Sequence, residues 1–457
     1  MRLAGAKPQM SRQLELPLGD RGEAPKAQRS EEAPAAATGT GDSGASGLLE
    51  AVLSRTNLQA ALRRVVSNKG SPGSDGMTVE ELPLWLRDHW PETREQLLAG
   101  TYQPATVKRQ AIPKRGGGVR ELGIPTVLDR FIQQALLQVL QPRFDPGFSP
   151  HSYGFRPGRR AHDAVRQAQQ YVQEGRRWVV DVDLEKFFDR VNHDVLMGKL
   201  AQRIEDRRVL RLIRRYLNAG ILAGGVVVER HVGTPQGGPL SPLLANVLLD
   251  EVDKELERSG HAFVRYADDC NVYVRSQRAG ERVLGRLRRC YARLKLRINE
   301  SKSAVARATQ RQFLGFAFWI GPGKQVKHRV APKALLAMRN QVRAMTRRTQ
   351  GRSLEQVCES LRRYLQGWKE YFRLADTPGV FERLDEWLRH RLRALQLKQW
   401  KRGRTIYREL RARGMPVDAA ATVAFNGRRW WRNSAMAIHI ALPNSLFDRL
   451  GLTRLAK

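Results

Sequence analysis

Carboxylates set inside apolar, β-branched runs constrain this chain more than any other feature, because a strand fit for burial carries them only with a partner. One run is Trp178-Val179-Val180-Asp181-Val182-Asp183-Leu184, which reads as a buried strand with Asp181 and Asp183 alternating onto one face. The other is Tyr266-Ala267-Asp268-Asp269, followed by Val272, Tyr273 and Val274 and expected at a β-hairpin turn. Adjacent like charges raise each other's pKa, and a divalent cation that prefers oxygen ligands relieves them. Read alone, the tetrapeptide also fits a solvated turn, and Asp181 or Asp183 also fits the cap of a helix expected from about Leu184. Together, Asp183, Asp268 and Asp269 suit two Mg²⁺ ions, and the matching chemistry is two-metal phosphoryl transfer onto a 3′-hydroxyl. Asp183 is favoured over Asp181 because it directly precedes Leu184-Glu185-Lys186-Phe187-Phe188.

Charge narrows the partner. The 457 residues carry 80 Lys and Arg against 45 Asp and Glu, a net charge of +35. The surplus is concentrated late: from residue 301 onward there are 33 basic and 10 acidic side chains. A tail so charged repels itself without an anionic ligand, and a polyphosphate backbone is the natural one. The three cysteines, Cys270, Cys290 and Cys358, lack the spacing of a disulfide framework or a zinc site, so a reducing cytoplasm is expected. No apolar stretch approaches about 18 residues, so no membrane partner is expected.

Residues 1–47 are rich in Ala, Gly, Pro and charge, and read as disordered. Helical periodicity starts at Leu48 and breaks at Lys69 to Gly76. Residues 105–125 alternate like a β-hairpin with a basic tip, and helices are expected at about 126–140, 161–173 and 186–218. A further hairpin is expected around Val226-Val227-Val228, then a loop from Gly233 to Pro242 and a helix from near Leu243. Beyond about residue 325 the pattern is wholly helical. Leu335, Met338, Val342 and Met345 form one apolar stripe, Leu354, Val357, Leu361, Leu365 and Trp368 a second, and Leu384, Leu388, Leu392 and Leu395 a third. Arg339, Arg343 and Arg347, and separately Arg389 and Arg393, read as cationic faces for nucleic acid. Near the end, Gly427-Arg428-Arg429-Trp430-Trp431-Arg432 suits phosphate contact combined with base stacking.

These blocks, in this order, resemble the group II intron reverse transcriptase/maturase family. The resemblance rests on Gly73-Ser74-Asp75-Gly76, Ile112-Pro113-Lys114, Ser152-Tyr153-Gly154-Phe155-Arg156-Pro157-Gly158, Asp183 through Phe188, Thr234-Pro235-Gln236-Gly237 to Ser241-Pro242, Tyr266-Ala267-Asp268-Asp269 and Phe313-Leu314-Gly315-Phe316. It implies an α+β right-hand polymerase: fingers and palm at 48–325, a helical thumb/maturase region at 326–402 and a basic DNA-binding region at 403–457. It implies an RNA-directed DNA polymerase that also binds its group II intron RNA to promote splicing and supports intron mobility. The implied partners are an RNA template, a DNA primer, target DNA and dNTPs. Lys114 and Arg120 would hold the triphosphate, Gln236 would contact nucleotide or template, and Phe188 would exclude a 2′-hydroxyl. Lys302 would protonate pyrophosphate, and Phe313, Leu314 and Gly315 would grip the primer. No paired cysteines follow residue 400 and His439 is the only histidine there, so the metal-bound endonuclease of many relatives is not expected. Two other readings stay open: a free-standing reverse transcriptase in defence or repair, and an RNA-binding splicing cofactor with an idle polymerase site.

Overall fold

The computed structural model describes residues 47–113, 119–223, 226–228, 233–234, 237–348, 351–435 and 437–456. The expectations for 1–46, Lys114 and Gln236 lie outside them, as does the side chain of Arg120. The chain is α+β and forms two compact units, dividing between Arg311 and Gln312.

The first unit holds strands β1 (Val107–Pro113), β2 (Val119–Ile124), β3 (Trp178–Val182), β4 (Ile221–Ala223), β5 (Val226–Val228), β6 (Ala262–Tyr266), β7 (Asp269–Val274) and β8 (Ala304–Arg307). They make two four-stranded sheets, ordered β2-β1-β4-β5 and β6-β7-β3-β8. The expected hairpins are present: β1 pairs antiparallel with β2, and β4 with β5. In the second sheet every pairing is antiparallel. Its two faces differ as a period of two demands. Val180 and Val182 are fully buried, and Gly280 of the helix Gln277–Arg293 lies against Val180, Val274 and Val305. The opposite face carries Asp181 and Asp183, with Tyr273 at its far end packed on Tyr171 of the helix Ala161–Gln173.

One expected element is absent. No helix starts at Leu184: that residue makes an isolated bridge to Ile298, Lys186 takes a left-handed φ of 46°, and a single 3₁₀ turn covers Phe187–Asp189. The helix begins at His193, capped by the Asn192 side chain accepting from the Val195 amide. Neither Asp181 nor Asp183 is a helix cap.

The second unit opens with β9 (Gln312–Phe313), β10 (Phe316–Ile320) and β11 (Val326–Val330), a three-stranded sheet. Residues beyond 325 are therefore not wholly helical: β11 closes an antiparallel hairpin with β10. Helices Pro332–Met345, Leu354–Tyr371 and Pro378–Trp400 follow, and their stripes behave as expected. Met338, Val342, Leu361, Leu365, Trp368, Leu388 and Leu392 are buried. Among the described residues no helix is long and apolar enough to cross a membrane.

Candidate polymerase site

β6 and β7 are joined by a two-residue turn, with Tyr266 paired to Asp269 and Ala267-Asp268 at the tip. Ala267 holds φ 57°, a left-handed conformation that a side chain with a Cβ adopts only under constraint. β3 pairs with β7 up to Val182 opposite Cys270. The next step of that register sets Asp183 opposite Asp269, on the face shared by Asp181 and Asn271. The topology thus brings the three expected carboxylates to one end of two neighbouring strands. Asp269 is buried, whereas Asp183 and Asp268 are partly exposed.

Asp181 and Asp183 have different partners. Arg311 donates to Asp181 Oδ2 from Nε at 2.9 Å and Nη2 at 2.7 Å. With its amide turned to satisfy its neighbours, Asn271 donates to Asp181 Oδ1 at 2.9 Å. Asp183 instead has its backbone clamped, its amide donating to Ser303 Oγ and its carbonyl accepting from the Asn299 amide. Its carboxylate lies 3.6 Å from Lys302 Nζ. Both carboxylates are thus engaged by cations, Asp181 by the Arg311 guanidinium and Asp183 by the Lys302 ammonium.

The donors at this end are carboxylate oxygens, the chemistry Mg²⁺ favours. Among the described residues no group of three or more His, Cys, Asp or Glu side chains is gathered closely enough to hold a metal ion by itself. Mg²⁺ usually takes one or two carboxylates and completes its shell with water and substrate phosphates, so the donor set fits an ion that arrives with nucleotide. Cys270, next to Asp269, is fully buried, and burial pushes its thiol up to about 12, so it offers no thiolate.

The turn is braced from behind. The loop Ser152-Tyr153-Gly154 runs against it, and a Cβ on Gly154 would lie 2.2 Å from the Ala267 nitrogen and 2.9 Å from the Tyr266 carbonyl carbon. Only glycine permits that approach. Sequence reading used Gly154 as a family mark without its reason. It missed Arg311 and the buried polar residues behind the turn, although Asn246 and Asp253 interrupt a helix face that is otherwise apolar.

Phe188 is half-buried, packed edge-on against buried Phe187 with ring centroids 5.1 Å apart. Its carbonyl accepts from the Thr234 amide at 2.7 Å, and His193 Nε2 lies 2.7 Å from the Gly233 carbonyl oxygen. Gly237 and Gly238 sit against Gly123 and Gln133. The two described ends of the Gln236 loop are therefore held, one at the Phe188 turn and the other at the β2 hairpin.

In the second unit Leu314 and Gly315 make the β9–β10 turn, with φ 49° and 79°. Phe313 and Phe316 are buried, so the partly exposed part of this hairpin is its Leu314-Gly315 tip, not the phenyl rings. The Leu314 carbonyl accepts from Tyr371 Oη at 2.9 Å.

The arginine faces divide. Arg339, Arg343, Arg347, Arg428 and Arg429 are exposed. Arg389 is a correction: it is buried, within 3.7 Å of both Asp385 and Asp448, because it lies one turn beyond Asp385 on the apolar side of its helix. Arg393 is half-buried and tied to the Leu442 carbonyl and the Asn444 side chain. Trp430 has Lys398 Nζ 4.0 Å from its ring centroid, and Trp431 stacks on His390 at 3.8 Å. Among the described residues Phe425 is the most exposed large hydrophobic side chain, at 93%, at the end of the helix Val417–Phe425 and three residues before Arg428. Its only sequence signal was an apolar side chain beside Asn426-Gly427.

Two family profiles match. Residues 112–318 match "Reverse transcriptase (RNA-dependent DNA polymerase)" and residues 335–414 match "Group II intron, maturase-specific domain". Protein YkfC of Escherichia coli K12 is 40% identical over 205 residues, 44% of this chain and 54% of that protein. Group II intron-encoded protein LtrA of Lactococcus lactis subsp. cremoris is 36% identical over 195 residues, 42% of this chain and 32% of LtrA. The aligned region thus spans about half of the first relative and a third of the second. A solved structure titled "Partial Cas6-RT-Cas1--Cas2 complex" is 28% identical, covering 54% of this chain and 42% of that one, with a TM-score of 0.36.

Proposed function

Because this chain belongs to the group II intron reverse transcriptase/maturases, we propose that it is an RNA-directed DNA polymerase that also binds its own intron RNA and promotes that RNA's splicing. The polymerase half is supported by the β3–β7 register, which ends with Val182 opposite Cys270 and, continued by one residue, would set Asp183 opposite Asp269, beside Asp268. Asp183, Asp268 and Asp269 would hold two Mg²⁺, which supply charge stabilisation and lower the pKa of a primer 3′-hydroxyl. Lys302, whose ammonium lies 3.6 Å from the Asp183 carboxylate, would give a proton to the departing pyrophosphate. Lys114 and Arg120 supply the cationic hairpin for the triphosphate, where charge-assisted hydrogen bonds are strong.

Phe188 acts as the sugar gate, its ring held from behind by Phe187 and its backbone by Thr234. Phe188→Ala is expected to raise rNTP incorporation relative to dNTP by about 10²-fold, the scale on which a pocket discriminates a single hydroxyl. Steady-state incorporation of each nucleotide on one template measures it. An unchanged ratio removes Phe188 from this role.

Splicing help requires no side-chain chemistry, since the intron RNA is the catalyst; the protein contributes phosphate contacts and shape recognition. The exposed arginines of the helix Pro332–Met345 and the Phe425–Arg429 segment are the surfaces for it. Phe425→Ala is expected to weaken binding of single-stranded nucleic acid by about 5- to 100-fold, the value of one base–aromatic stack. Trp431→Ala should weaken it less, because that ring is already stacked on His390. Filter binding at fixed salt compares them.

The maturase half is tested by crosslinking the protein in its native cell and sequencing the attached RNA. Enrichment of one structured intron that encodes this protein supports it. A short noncoding RNA, or diffuse RNA, moves the protein to the free-standing reverse transcriptases.

A further inference from the structure

Behind the Ala267-Asp268 turn lies a buried polar cluster that the chemistry does not use directly. Arg265 is fully buried, and its guanidinium is shared three ways. Nε and Nη2 donate to the Asp253 carboxylate, at distances down to 2.6 Å. Nη1 donates to Asn246 Oδ1 and to the Ala267 carbonyl oxygen, each at 2.9 Å. Asn246 in turn donates from Nδ2 to the Gly154 carbonyl at 2.9 Å. The Arg265 backbone completes the frame, its amide donating to the His151 carbonyl and its carbonyl accepting from the Tyr153 amide. Through Nη1 the guanidinium reaches the strained residue of the turn directly and, by way of Asn246, the glycine loop pressed against it.

We propose that Arg265, held by Asp253 and Asn246, is a positioning residue that fixes the Ala267 backbone and so aims the carboxylates of Asp268 and Asp269. A buried ion pair kept for stability alone is replaceable by apolar side chains of similar size, often without loss. What such a pair cannot reproduce is the third nitrogen directed at the Ala267 carbonyl. Lysine cannot either: one ammonium on a flexible stem does not copy a planar fork that serves three partners at once. Ala267 has no side-chain preference for φ 57°, so its conformation depends on what holds its carbonyl on one side and its nitrogen on the other.

The test uses the full chain in two variants. One is Arg265→Met combined with Asp253→Leu, which removes the charge pair but refills its volume. The other is Arg265→Lys, which keeps the charge opposite Asp253. Three quantities are read: amide hydrogen exchange across Tyr266–Asp269, the Mg²⁺ half-saturation of DNA synthesis, and kcat beside the Kd for primer–template. Expected are folded proteins with turn exchange and Mg²⁺ half-saturation each raised by about tenfold or more, kcat lowered by about tenfold or more, and primer–template affinity within about twofold, since a small misplacement of reacting groups acts on rate before binding. Wild-type turn exchange and wild-type kcat in the folded double variant overturn the proposal. If the double variant does not fold, the same two outcomes are read from Arg265→Lys. The activity readouts rest on the polymerase reading, but the exchange readout does not. An inactive wild-type protein would count against that reading, while unchanged exchange would count against this one.

Discussion

Asp268→Asn is expected to abolish DNA synthesis, with a loss of about 10³-fold or more, equivalent to about 4 kcal/mol of transition-state stabilisation. The side chain keeps its size, so packing at the turn is undisturbed. What goes is one of the charges proposed to balance the ions and the triphosphate. Asp268 sits at the tip of the two-residue loop and is partly exposed, and removing one of several neighbouring like charges relieves repulsion. The variant should therefore melt at or slightly above the wild-type temperature. RNA binding and the proposed help to splicing should persist, because both are assigned to the basic surfaces and not to this turn. Single-nucleotide extension, a melting curve and RNA binding on one preparation separate these effects. Extension at more than a tenth of the wild-type rate would remove Asp268 from the metal site.

Gly154→Ala is expected to be nearly as damaging, although Gly154 carries no chemical group. The added methyl meets backbone on both sides of the Tyr266–Ala267 peptide, well inside van der Waals contact. Backbone cannot rotate aside as a flexible side chain can, so either the loop lifts from the turn or the turn moves. Forcing a methyl into a packed site costs about 1–3 kcal/mol of stability. A shift of about 1 Å at the carboxylates is enough for about 10²-fold in rate. Gly198→Ala is the matched control, because Gly198 lies within the helix His193–Ala201 with open space at its Cβ position. There the substitution should stabilise by about 0.5–1 kcal/mol and leave synthesis unchanged. Equal activities in the two variants would mean that the glycine loop does not set the turn.

Local periodicity carried much of this structure. The alternation around Asp181 and Asp183, the Tyr266–Asp269 hairpin and the leucine stripes all follow from patterns of two or of three to four residues, and these depend on neighbours close in the chain. The helix expected at Leu184 failed because nothing local shows that Leu184 pairs with Ile298, more than a hundred residues later. The partner of Asp181 was hidden for the same reason, since Arg311 is one arginine among many in this sequence. Arg389 was read as surface because charge usually is; the aspartate one turn earlier, between leucines of the same stripe, was the overlooked signal. The tandem tryptophans drew attention from Phe425, and only three-dimensional packing shows which ring is covered. For Lys114, Arg120 and Gln236 the nucleotide-binding roles remain proposals carried by family motifs and charge.

The carboxylates at the end of β3 and β7 are proposed to support the copying of RNA into DNA. The most direct test is extension of a labelled DNA primer on an RNA template by the purified full chain with Mg²⁺ and dNTPs. Templated, full-length DNA that depends on Mg²⁺ and is missing with Asp183→Asn is the expected result. Tight binding of the primer–template without extension at any Mg²⁺ concentration would contradict it and leave an RNA-binding cofactor with an idle polymerase site.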